Sequence, residues 1–460
     1  MPNPTAALWH AAGLPAGALD WLDLGGSDPV LPSSFAVGGA AQASIAAMAL
    51  AAAELHHQRG GPRQRVSVAM RHAAAAFRSE RLLRIGAAEA PELWDAIAGL
   101  YPTGGGGWVR LHTNFTHHRD GVLRLLGLPA GGAERATVAR ALLDWRAGAF
   151  EDAAAAAGLC VTASRDFAEW DAHPQGQATA RQPVTLERIG DAPPEPPPPA
   201  AAQPLAGLRV LDLTRIIAGP VASRALAAHG ADVMLVTGPH LPSIPALVVD
   251  SGRGKRSAHV DLRAPGGVAT LEGLARGADV FLQGYRPGGL AGRGFGVERL
   301  AALRPGIVCA NLSAYGEAGP WHDRRGFDSL VQTASGFNLA EAAAFGESKP
   351  RPLPAQVLDH ASGYLLAFGI LAALHRRAEE GGSWKVTVSL AATGRWLRGL
   401  GQVGGPATPD PTREDWADLL EETASGFGRL SVVRHPAVLE ATPAAFARPS
   451  VPLGTDAPAW

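Results

Sequence analysis

The chain has 460 residues, 47% of them hydrophobic and 18% charged, enough for two or three domains and a large buried core. With 41 Lys+Arg against 42 Asp+Glu the formal net charge is −1, so no global field points to nucleic acid or a membrane surface. Two cysteines, Cys160 and Cys309, lie far apart, which makes no disulfide framework and suits a reducing cytoplasm.

The N-terminus shows no basic region followed by an apolar stretch, so no signal peptide is expected. The Ala-rich run over 40–53 is short for a membrane span and reads as a buried helix. High Ala, Gly and Arg with few Lys suggests a GC-rich bacterial genome. Residues 51–70 echo residues 370–390: both read as helix, Gly-Gly turn, strand, and share the order Leu-His, Gly-Gly, Val-x-Val. Counting back from Leu374 reaches Asp359, and the same count from Leu55 reaches Ala40. The first copy therefore lacks a carboxylate there, and one active site per chain is expected.

Gly104 to Gly107 reads as a hairpin turn. His112, His117 and His118 stand without a cysteine or carboxylate cluster, so ordinary polar contacts are expected ahead of a metal. Asp191 to Gln203 is proline-dense and predicts an extended spacer near the middle of the chain.

Beyond the spacer the pattern alternates. Leu208–Thr214, Asp232–Val236, Asp279–Gln283 and Ile307–Leu312 read as strands. Ala222–His229, Gly266–Arg276 and Val297–Leu303 read as helices. Short apolar strands alternating with helices imply βαβ units and a parallel sheet. No G-x-G-x-x-G follows the first of these strands, which argues against NAD or FAD. Ala218-Gly219-Pro220 follows it instead, small residues that let the backbone approach a ligand at the strand's carboxyl end. Asp359 follows the stretch from Pro352 and precedes a long apolar helix, Tyr364 to Arg377. A carboxylate there suits the mouth of a cleft, although a helix-capping aspartate would look alike.

The order of motifs carries a resemblance. Pro204 to Pro220 is followed by His229-Gly-Ala-Asp-Val, Gly254-Lys-Arg-Ser257 with Val260-Asp-Leu262, and Ala278-Asp-Val. Tyr285-Arg-Pro-Gly288, Leu312 to Gly316 with Gly319-Pro320, and Phe327 to Gln332 then lead to Asp359. This succession resembles the class III CoA-transferase family (CaiB/BaiF, formyl-CoA transferase-like). Residues 37–90 resemble the segment that normally follows the family's catalytic aspartate, residues 91–190 its small domain, and residues 425–460 its C-terminal return. The chain thus looks like a rearranged or fused member.

The resemblance implies an α/β fold: a Rossmann-like parallel-sheet large domain with a smaller α+β domain. It divides the chain into a partial large-domain segment (1–90), a small domain (91–190), the linker (191–203), a CoA-binding domain with the catalytic aspartate (204–400) and a return segment (401–460). It implies a CoA-transferase that moves CoA from an acyl-CoA to a carboxylic acid through an aspartyl-CoA intermediate on Asp359. An acyl-CoA racemase of the same family and a non-catalytic CoA-binding protein are the alternatives. The racemase needs a histidine just before Asp328, where Phe327 stands.

By the same resemblance Ile216, Ala218, Lys255, Arg256, Arg286, Arg293 and Arg325 would meet coenzyme A. Arg215 and Arg253 are further candidates, because guanidinium forks suit phosphate oxygens. His360 could tune the aspartate. Coenzyme A is then a substrate, with no tightly bound cofactor and no metal, and with no nucleic-acid or membrane partner. Family members are interlocked homodimers of ring-shaped subunits, so this chain is expected to be a pseudo-dimeric monomer or a homodimer. Thr237-Gly238-Pro239 departs from the family's charged residue near the adenosine, and Ile217 stands where formyl-CoA transferase has glutamine.

Overall fold

The computed structural model of the chain describes residues 3–88 and 92–460. The expected boundary between residues 90 and 91 lies outside them. The largest sheet has seven strands, in the order Lys255–His259, Asp232–Thr237, Arg209–Leu213, Val280–Gln283, Val308–Ser313, Ser383–Ser389, Val184–Gly190. The first six run parallel, and Val184–Gly190 pairs antiparallel at the edge. This is the predicted α/β architecture with a Rossmann-like sheet. Its inner strands Asp232–Thr237, Arg209–Leu213, Val280–Gln283 and Val308–Ser313 are largely apolar because helices and loops cover both faces. Val210, Val280, Val308 and Val386 pack into one core, and Leu211, Phe281 and Cys309 into a second.

The small domain is built on the antiparallel strands Gly99–Pro102, Trp108–Leu111 and Val161–Ala163, covered by three helices within 116–156 and holding its own core. Gly104 to Gly107 closes its first hairpin.

Both copies of the internal repeat fold alike. Helix Val37–Gln58 leads to strand Val66–Ala69, and helix Val357–Glu380 leads to strand Ser383–Ser389. The two helices pack against each other in the largest core, which draws on residues from Leu8 to Leu439. Both are long and apolar enough to cross a membrane by length and composition, yet 94% and 100% of their apolar windows are buried inside the protein.

The strands after these helices are completed crosswise. Ser383–Ser389 lies between parallel Val308–Ser313 and antiparallel Val184–Gly190, the latter contributed by the first half. Val66–Ala69 lies between parallel Leu22–Gly25 and antiparallel Ala437–Leu439, the latter contributed by the C-terminal segment. Each half thus supplies the antiparallel edge strand of the other.

The proline spacer runs as irregular backbone over the outside of this arrangement. Arg59 pins it by donating to the carbonyls of Pro198, Pro199, Pro204 and Ala206. Glu195 pairs with Arg304 at 2.6 Å. An extended segment without a ladder has backbone carbonyls to satisfy, and a single guanidinium takes four of them.

Candidate active site

The parallel strands Arg209–Leu213 and Val280–Gln283 are neighbours, while the connections that leave them run to opposite sides, so their carboxyl ends open a crevice. A cavity of about 360 Å³ lies there, lined by Ile216, Ala218, Tyr285, Arg286, Arg325 and Asp359, among others. It adjoins a second cavity of about 410 Å³, which shares Tyr285, Arg286 and Arg325 and adds Arg293. Asp359, Ile216, Ala218, Arg286, Arg293 and Arg325 are therefore gathered along one continuous cleft. Arg215 also lines it, with its guanidinium 5.5 Å over the Phe115 ring of the small domain.

Lys255, Arg256 and Arg253 stand elsewhere. Lys255 is 2% exposed, with Nζ 3.3 Å from Asp212 and 3.0 Å from the carbonyl of Pro220. A buried ammonium must be paired, and Asp212 supplies the charge. Arg256 pairs with Asp232 at 2.6 Å and donates to Ala459 O, and Arg253 donates to Glu421 and Val433 O. Their basic character serves the fold, which sequence spacing could not separate from a role toward an anion.

Asp359 sits in the first turn of helix Val357–Glu380, so the helix begins earlier than the apolar run suggested. It is 7% exposed, and its carboxyl is raised well above the usual range. Burial is the leading cause, followed by the nearby carboxylates of Asp328 and Glu80. Asp328 caps this helix by accepting from the amides of Leu358 at 2.7 Å and Asp359 at 3.0 Å. Asp28 does the same for helix Val37–Gln58, accepting from Gly38 at 3.0 Å and Gly39 at 2.6 Å. At the matching position of that first-copy helix stands Ala40, fully buried and without a carboxylate.

His360 points away from the cleft. Its Nε2 lies 3.0 Å from Glu80, and its ring stacks on Phe77 at 5.4 Å. Burial pushes the Glu80 carboxyl up, but His360 and Arg81 together with a backbone hydrogen bond outweigh this and hold it below its usual value. Glu80 belongs to the first half of the chain, as do Trp94 and His112, which with Asp359 line a small pocket beside the main cleft. The site is thus walled by both halves. Sequence reading missed Glu80 and Trp94, because no local pattern marks a residue that reaches a site some 280 positions away.

His112 stacks flat on Phe327, with ring centroids 3.9 Å apart, and its Nδ1 is 3.3 Å from Ser329 Oγ. Burial, with Arg110 and His118 adding to it, lowers its pKa to about 3. Burial also takes His118 down to about 4. Both rings are neutral near pH 7. Among the described residues no group of three or more His, Cys, Asp or Glu could hold a metal.

Ile216 has φ of 75°, the one positive φ outside glycine among the described residues. A β-branched residue there is strained, and such strain persists only where the surroundings enforce it. The enforcing context is the turn Thr214–Pro220. Thr214 is tied to Asp212 at 2.9 Å through its amide, and Lys255 holds Pro220 O.

Fold and site together define an α/β protein with a ligand cleft at the carboxyl ends of its parallel strands and a buried carboxylate at the cleft wall. Residues 205–401 match the model of CoA-transferase family III, and this part of the chain is similar to that family. The chain is 37% identical over 202 residues to the probable fatty acyl-CoA transferase Rv3272 of Mycobacterium tuberculosis, covering 41% of this chain and 51% of the relative. It is 32% identical over 327 residues to an acyl-CoA transferase of Gibberella moniliformis, covering 66% of this chain and 57% of the relative. A crystal structure of Rv3272 shares 34% identity over 43% of this chain and 57% of its own, with a TM-score of 0.40. The chain thus spans about half the length of these relatives.

Proposed function

We propose that the protein is a CoA-transferase that uses Asp359 as a covalent nucleophile. The observation that carries this reading is the buried Asp359 carboxyl at the wall of a cleft that Arg286, Arg293 and Arg325 also line. The family match over residues 205–401 supports it, as do the relatives named as CoA-transferases.

In this reading an Asp359 carboxylate oxygen attacks the thioester carbonyl carbon. The C–S bond breaks, CoA leaves as thiolate, and a mixed anhydride remains on the enzyme. The thiolate then attacks the aspartyl carbonyl and expels the donor's carboxylate, leaving an aspartyl-CoA thioester. The acceptor carboxylate attacks that thioester and expels the CoA thiolate, giving a second mixed anhydride. The thiolate then attacks the acceptor's acyl carbon to form the new acyl-CoA and release the Asp359 carboxylate. A raised pKa makes Asp359 a stronger nucleophile once ionised, and the arginines hold the CoA phosphates. Ile216 and Ala218 border the thioester end, where a small-residue turn admits the pantetheine chain. Lys255 supports that turn from beneath. Two buried thiols, Cys160 and Cys309, fit a bacterial cytoplasm.

An exchange assay with a labelled carboxylate tests the assignment. Asp359→Ala should abolish exchange, while calorimetry shows CoA binding largely kept. A variant that retains a tenth of the wild-type rate would remove Asp359 from this role.

A further inference from the structure

The small pocket beside Asp359 has a lining unlike that of the arginine-bearing cleft. It takes its walls from Ile216, Ile217, Ile244, Leu247, Leu93 and Trp94. Ile216, Ile244 and Leu247 also border a second small pocket that runs on beneath Pro220, Leu235 and Val248. Each holds about 40 Å³, so together they form a short, bent apolar channel that starts at Asp359.

The Asp359 end of this channel carries three carboxyl groups. Glu80 and Asp328 face it beside Asp359. Two arginines line the channel: Arg81, which donates to Pro354 O at 2.9 Å and lies 3.6 Å from Glu80, and Arg215, which donates to Pro242 O with its guanidinium 5.5 Å over the Phe115 ring. The Arg81 charge is matched by Glu80 before any ligand arrives, and Arg215 is turned toward a carbonyl and the small-domain ring. A second carboxylate on an acyl group would enter next to existing carboxyl groups in a largely dry site, where like charges repel strongly. An aliphatic chain would meet a lining made mostly of isoleucine, leucine, valine, proline and tryptophan surface.

Resting on the reading above, we infer that the acyl group transferred is a short aliphatic monocarboxylate of the butyryl or isovaleryl kind, and that Ile216, Ile244 and Leu247 set this preference against dicarboxylates. The strained backbone at Ile216 fits this role, since it fixes a branched side chain at the junction of cleft and channel.

Binding separates this inference from the catalytic one. Calorimetry on full-length Asp359→Asn, which cannot turn over, should show butyryl-CoA binding about tenfold tighter than succinyl-CoA. Adding Leu247→Arg should reverse the order, with free CoA affinity unchanged as the check on folding. Equal binding of the two thioesters, or tighter binding of succinyl-CoA, overturns the acyl assignment and leaves Asp359 as nucleophile untouched. Butyryl preference without exchange in the wild type removes the nucleophile and keeps the channel assignment. Failure to bind any CoA overturns both.

Discussion

The Asp359 carboxyl is the residue on which pH acts most directly. Burial, Asp328 and Glu80 all raise its pKa, so less of it is ionised at a given pH than for an exposed aspartate. In the proposed mechanism attack needs the ionised form, so kcat/KM should rise with pH through the raised value and then level off. Asp328→Asn keeps an oxygen for the helix amides and deletes a neighbouring charge. It should move the midpoint of that profile down by about one pH unit. An unmoved midpoint would show that Asp328 does not act on Asp359 through charge. The same shift bears on stability. Because the folded pKa is raised, the carboxyl's favourable contribution is complete below the unfolded value and is lost as pH climbs through the folded one. Asp359→Asn should therefore raise the thermal midpoint at pH 8 relative to wild type, with the gain shrinking toward pH 4. At the other end of the cleft, Arg293→Ala and Arg325→Ala should each weaken CoA by about 1.5–3 kcal/mol, the range for a hydrogen bond to a charged group, as read by calorimetry.

At the scale of elements, the site depends on a close crossing. The helix that carries Asp359 passes so near the start of helix Ala218–Ala228 that a Cβ on Gly363 would stand 2.5 Å from Ala218 O and 2.8 Å from Val221. Gly363→Val must push the Ala218 turn outward. It should destabilise the fold by about 1–3 kcal/mol, measured by denaturant unfolding, and weaken CoA binding as well. The strands behind this crossing were largely legible in the sequence. Asp232–Val236, Asp279–Gln283 and Ile307–Leu312 match observed strands within a residue at their ends, because both faces are buried and the apolar runs are continuous. Helix ends were less legible. The helix expected from Ala222 starts at Ala218, since proline is tolerated in a first turn where its missing donor costs nothing. Edge strand Lys255–His259 was missed because its charged residues break the apolar pattern, their charges being answered by Asp212 and Asp232 only in three dimensions. The arginines of the cleft could be nominated from sequence. Only packing shows that Arg253, Lys255 and Arg256 are occupied elsewhere.

For the whole molecule, the crosswise exchange of edge strands and the Glu80–His360 contact make each half incomplete without the other. Separated, residues 1–190 would bare the apolar face of helix Val37–Gln58, and residues 204–460 would lose a sheet edge and one wall of the site. Expressed alone, each part should be insoluble or inactive, and co-expression should restore exchange. The spacer, pinned by Arg59, would then serve to keep the halves at high effective concentration. The central claim, one nucleophile in a site made by both halves, is open to a single measurement. The intact chain is incubated with an acyl-CoA and hydroxylamine, and its peptides are mapped by mass spectrometry. The account predicts a hydroxamate at Asp359 in the intact chain and none when residues 204–460 are treated alone. An intact chain that binds CoA yet leaves Asp359 unmodified, or residues 204–460 labelled as fully as the whole, would contradict it.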